Sequence, residues 1–404
     1  MVTSTFSAFI KACPMRLIFC FLCFASAAFV CILAFYPLFL GSASMAGLAS
    51  AIFPELPCLH RSSCAWSYSI VQDRGAELFH SWSDQELLER AIFAEATRTA
   101  MLKYDERKIR AAASAPVSHE LSACQPRKGK MRTSKIAFLF LTRGPLPFLP
   151  LWNLFFRGHE HQYNIYVHLD PFRVGVFDRK SAGVFWGRLI PPGLTERGAP
   201  SLAAASRRLL ANALLDDPDN QFFAVLSDRC IPLVSFRNVY DHVMASKKSF
   251  IEILKDEPTL AGRYASRGSE AAMLPEVPFS SFRVGSQFFV LNHKHAAMVV
   301  SDNKIWSKLS LPCANANACY AEEHYFPTLI DMEDGKCATG FTLTNVDWSV
   351  RSADGAHPRM YRQEEVTGEL IMTLRRNGTF LFARKFGDDC LKPLLQLAPF
   401  IYGD

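Results

Sequence analysis

Lys135-Ile136-Ala137-Phe138-Leu139-Phe140-Leu141-Thr142-Arg143-Gly144-Pro145 is a six-residue apolar run closed by a polar turn. That length is short for a helix and suits a buried strand. Residues 149–156 fit a helix, 164–169 a second strand stopped by Asp170-Pro171, 202–215 a second helix, and 222–226 a third strand ending at Ser227-Asp228-Arg229. Strands alternating with helices, each strand ending in a polar turn, predict an α/β fold around a parallel sheet. Ligands of such sheets bind beyond the carboxyl ends of the strands. Thr142, Asp170 and Asp228 are therefore expected to converge on one crevice.

Upstream, residues 111–132 are Ala/Ser/Pro-rich and then basic, as a linker would be. Ser83-Asp84-Gln85-Glu86 has capping-box spacing and opens a helix whose apolar positions are Leu87, Leu88, Ala91 and Ile92. That helix is either a stalk or lies against the following domain. Residues 17–40 carry no charge over 24 positions, more than the roughly 20 that a membrane helix needs. Lys11 and Arg16 precede them and no Lys or Arg follows until Arg61, which orients the N-terminus to the cytosol. The apolar run is long for the h-region of a cleaved signal peptide, with a small-residue site at Ser42-Ala43-Ser44 as the rival. The expected layout is a tail (1–16), an anchor (17–40), a stem and linker (41–132) and a luminal domain (133–404). Eight of the 12 cysteines lie beyond the anchor, an even number compatible with disulfides whose pairing the sequence does not give. Asn377-Gly378-Thr379 is the single glycosylation sequon.

The net charge of +6 comes from scattered Lys and Arg. No basic stripe interleaved with aromatics points to nucleic acid. The densest acid/base group is Cys319-Tyr320-Ala321-Glu322-Glu323-His324-Tyr325. It offers either a carboxylate general base or an acidic first helical turn that favours the dipole. In residues 380–386, Arg and Lys follow an apolar run and suit either a departing diphosphate or the solvated end of a strand. The one Asp-x-Asp, Asp217-Pro218-Asp219, precedes the third strand and reads as a turn rather than a metal site. The pairs His159/His161 and His293/His295 lack partners at zinc spacing and read as surface residues. Dinucleotide, P-loop and Gly-x-Ser-x-Gly signatures are absent.

Taken in order, the segments 136–142, 166–171, 226–232, 285–289, 319–324, 346–349, 357–358 and 382–386 resemble the core-2/I-branching β-1,6-N-acetylglucosaminyltransferase family, above all its plant branch. The resemblance runs from about residue 135 to 395. It implies a GT-A-like domain, a Rossmann-like mixed sheet flanked by helices, behind an N-terminal transmembrane helix in the Golgi membrane. It further implies inverting transfer from a UDP-sugar to a glycan hydroxyl, with no metal or other cofactor. By the same resemblance Glu323 is the catalytic base and Lys385 contacts the donor diphosphate. Arg359 assists it, Arg362 fitting the spacing about as well. Asp170 and Thr142 belong to the nucleotide site, and Arg283, Trp348 and Asp228 to the acceptor or donor sugar. UDP-N-acetylglucosamine is the implied donor, with UDP-glucuronate and UDP-xylose open. The chain departs from the plant pattern at Arg197-Gly198, at Ser206 and at Val284. These departures keep open a weakly active member that binds glycans or scaffolds other enzymes. A luminal hydrolase using Glu322 is a more distant rival, and the oligomeric state is not legible.

Overall fold

The computed structural model describes residues 78–113, 133–171, 179–349, 357–376 and 378–403. The expected anchor at 17–40 and the sequon residue Asn377 lie outside these. Among the described residues no helix is long and apolar enough to cross a membrane.

Helix α1 (Asp84–Ala113) starts where the capping residues predict: the Ser83 hydroxyl accepts the Glu86 N–H at 3.2 Å. Strands β1 (Lys135–Thr142), β2 (Tyr163–Leu169) and β3 (Asn220–Ser227) are linked by α2 (Leu149–Phe156) and α3 (Pro200–Asp216). β1 pairs in parallel with both β2 and β3, setting Phe138 opposite Ile165 and Ala224. The sheet then continues through β6 (Val290–Asn292), antiparallel to β3, and β5 (Ser249–Glu252), antiparallel to β6. β7 (Ala338–Gly340) closes it parallel to β5, giving the order β2-β1-β3-β6-β5-β7. This mixed, parallel-rich sheet fits the expected GT-A-like arrangement. A second sheet, β4 (Ile231–Pro232), β9 (Phe382–Arg384) and β8 (Thr344–Val346), has β9 at its centre.

Burial of both faces, which side chains reach in turn along a strand, explains why β1 is apolar from Ile136 to Leu141. Ile136, Phe138 and Phe140 face one core, and Ala137, Leu139 and Leu141 the other. In the first core Phe138 meets Phe156 edge-on at 4.9 Å and Phe382 of β9 at 6.4 Å. Each such pair adds about 0.5–1.5 kcal/mol beyond area burial. Phe382 thereby anchors the strand that carries Arg384 and Lys385.

In the second core Leu87 and Ala91 of α1 are buried, and Asp84 pairs with Arg208 of α3 at 2.5 Å. The helix therefore lies against the domain. Two histidines read as surface residues turn out otherwise. His295 is fully buried, bonded to Ser249 at 2.7 Å and Asp334 at 3.2 Å. His293 is half-buried, 2.8 Å from both the Asn220 carbonyl and Glu95 of α1. Both open helix α6 (His293–Ser301), which packs on the sheet, so helix position and not ligand spacing accounts for them.

Candidate active site

A cavity of about 670 Å³ opens beyond the carboxyl ends of β1 and β3, between them and the β8–β9 edge. Glu323, Lys385, Thr142, Asp228 and Trp348 all line it. Three described site residues predicted from the sequence do not. Asp170 is buried behind the wall and accepts the Thr195 hydroxyl at 3.1 Å; Thr195 itself lines the cavity. Arg283 is pinned to Asp331 at 2.6 Å and to the carbonyls of Ser280 and Phe282 at 2.8 Å each. Arg359 stands outside the lining, paired with Glu365 and, at 3.7 Å, with Asp347. Asn377 lies outside the described residues. Of the departures, Arg197 and Val284 line the cavity, whereas Ser206 is buried in α3.

Glu323 sits in the first turn of α7 (Ala321–Asp334), just after a Cys313–Cys319 disulfide, the pairing the sequence left open. Pro327 lies four residues on and has no N–H, so it cannot bond the Glu323 carbonyl in the helical manner. Gly285 supplies that bond, its N–H reaching the Glu323 carbonyl at 2.9 Å. A Cβ on Gly285 would come within 2.0 Å of the Glu252 carbonyl oxygen, so glycine is required by close backbone approach. The Glu323 carboxylate accepts from Arg263 at 2.8 Å through one oxygen. The other oxygen has no donor among the described residues. The Arg263 and Arg197 guanidinium groups lie over the Tyr320 ring at 5.4 and 5.8 Å. Nothing local in the sequence links Arg263 to Glu323, 60 residues later; the contact is purely tertiary.

Two more carboxyls stand near Glu323. Burial raises Glu252, and the Glu323 charge adds to the effect. Glu322 is 3% exposed, and burial followed by repulsion from Glu323 raises it from 4.5 to about 8. The unfolded chain ionises this group near its ordinary value. Folding therefore holds a proton between those two values, and stability falls as pH rises through that window. Glu322→Gln should remove this contribution. From about pH 5 to about pH 8 its melting temperature should fall less than that of the wild type, and it should be the more stable at neutral pH. Equal slopes in thermal melts would refute the protonated Glu322.

Asp228 stands amid Arg143, Arg229, Arg384 and Lys385. Burial raises it, and those cations oppose the rise. Arg229 is tied to Asp388. Lys385 has no ion pair among the described residues. Burial lowers it, and the neighbouring Arg384, Arg229 and Arg143 lower it further. The cavity thus holds a group of cations, Lys385 with Arg143, Arg229 and Arg384, as well as the Glu323 carboxylate. Asp217 is committed to Lys135 at 2.8 Å and Asn164 at 3.0 Å, at the opposite end of β3. Among the described residues no group of three His, Cys, Asp or Glu side chains is placed to hold a metal.

Comparison with known proteins shows the family. The family pattern described as Core-2/I-Branching enzyme matches residues 136–375. A rice protein (Oryza sativa subsp. japonica) named Glycosyltransferase BC10 is 32% identical over 314 residues, spanning 66% of this chain and 77% of its own length. The residues lining the cavity fall within the matched stretch except Arg376, Phe380, Arg384 and Lys385, which follow it, and the chain belongs to the Core-2/I-branching enzyme family, in its plant-type branch, as a glycosyltransferase.

Proposed function

We propose that the protein moves a sugar, N-acetylglucosamine by family resemblance, from its UDP conjugate to a glycan hydroxyl, with inversion and without a metal. The observation that carries this is a carboxylate at 323 and an ammonium at 385 lining one cavity, 62 positions apart in the chain. Glu323 takes the proton of the acceptor hydroxyl through its unoccupied oxygen while Arg263 holds the other. The acceptor oxygen forms its bond to the anomeric carbon as the bond from that carbon to the diphosphate breaks. The electron pair leaves with UDP, whose new charge faces Lys385 and its neighbouring cations. Trp348, 57% exposed at the rim, offers an aromatic face to an acceptor sugar. The uncharged run at 17–40 and the charge bias around it support a Golgi membrane anchor with this domain in the lumen. The Cys313–Cys319 disulfide fits an oxidising compartment.

The test is UDP release by the purified full-length protein, screened over UDP-sugars with and without glycan acceptors, in EDTA and in Mn²⁺. Acceptor-dependent release that EDTA leaves unchanged is expected. Activity lost in EDTA and restored by Mn²⁺ would defeat the metal-free mechanism. Failure of UDP to bind would favour the scaffold role instead.

A further inference from the structure

Helix α1 is apolar on two sides. Leu87 and Ala91 are buried against the domain, and Glu95 reaches His293 from the same side. Phe93, Met101 and Tyr104 lie elsewhere on the helix and are 75%, 63% and 66% exposed, the three most exposed large apolar side chains among the described residues. Their separations suit one stripe along the rod, with Thr97 midway between Phe93 and Met101. A surface helix ordinarily turns polar residues outward once its core face is buried. Leu102, two turns beyond Glu95 on the core side, is also exposed, so the contact with the domain ends before it. The last turns of α1 therefore project past the domain with apolar residues outward, and a free helical end of that length gains little stability in water by itself.

We propose that this stripe pairs with the same stripe of a second copy of the chain, the two α1 helices running antiparallel. Charge selects the occupant and the direction. Residues 84–95 carry Asp84, Glu86, Glu89 and Glu95 against Arg90 alone. In residues 96–110 Arg98, Lys103, Arg107, Lys108 and Arg110 outnumber Asp105 and Glu106. Each half of the helix is thus complementary to the other half, and two copies satisfy both ends at once only when they run in opposite directions. A parallel pair would set like charges together. The stripe is also self-complementary in shape, as a two-fold interface requires. When Phe93 of each copy falls between Met101 and Tyr104 of the other, Thr97 meets Thr97 near the axis and Glu89 comes level with Arg107. Thr97 and Ala100, which stand between the large side chains, are small enough to receive the partner's rings. None of the stripe residues lines the cavity, so the pairing does not depend on the donor reading.

Oxidative cross-linking of the full-length protein, in the membranes of the expressing cells and after purification in detergent, tests the pairing. Thr97→Cys, near the axis, should give a disulfide-linked species of twice the chain mass that the wild type does not form. Phe93→Cys and Tyr104→Cys should each cross-link little alone and join efficiently when the two variants are co-expressed. Phe93→Glu combined with Tyr104→Glu should weaken dimerisation by roughly 30-fold or more in light scattering, as the loss of buried anchors does. Glu89→Arg should weaken it too, and Arg107→Glu added to that variant should restore it, which carries the test if the doubly acidic variant does not fold. A monomeric wild type, a dimer indifferent to these substitutions, or Phe93→Cys that links to itself better than Thr97→Cys does would overturn the proposal. A monomer that binds phosphatidylserine-containing vesicles through Phe93 and Tyr104 would overturn it as well, with the membrane as the occupant.

Discussion

Glu323→Gln is expected to lower turnover by roughly 10²–10⁴-fold, the range of a lost general base, with UDP affinity unchanged. The amide keeps the shape of the side chain and still offers an oxygen to Arg263, which now donates to the carboxylate at 2.8 Å. What disappears is the proton acceptor. Because the proposed base meets only the acceptor, donor binding at Lys385 should not register the change. The measurement is steady-state UDP release alongside a UDP titration. Turnover within a few-fold of wild type would assign the base elsewhere, and Glu252, a cavity-lining carboxyl that burial and the Glu323 charge raise, would be the next residue to examine.

Lys385→Met should behave differently, with kcat/KM falling by roughly 10²–10³-fold and UDP binding weakened along with it. The ammonium faces an anion present in both ground and transition states, so its loss should be felt in affinity as well as in rate. Uridine, which lacks phosphate, should bind both proteins alike. Since Lys385 adjoins Arg384 and both would face one diphosphate, the double variant should lose less than the sum of the single effects. Undiminished UDP affinity in Lys385→Met would remove the lysine from the donor site.

The alternation of apolar runs and polar turns made three strands and two helices legible, because the centre of the sheet is buried on both faces and tolerates little else. β5, β6 and β7 are three or four residues long and draw their stability from neighbours, so no local pattern announces them. Glu323 and Lys385 were legible only through resemblance, since local spacing fits an acidic helix start and a basic strand end equally well. Arg263 and Glu252 were invisible, for their role arises from contacts across the fold. Arg359 and Arg283 show the converse. Order in the chain suggested them, and nearby carboxylates have claimed both.

The bond between the Gly285 amide and the Glu323 carbonyl has a mechanical meaning. Where a helix closes its own ladder, its first turn tilts with the rest of the rod. Here Pro327 opens the ladder at that rung, and the backbone bearing the carboxylate is riveted to the segment leading into β6. Sway at the far end of α7 is thereby uncoupled from the Glu323 carboxylate, whose alignment is inherited from the sheet.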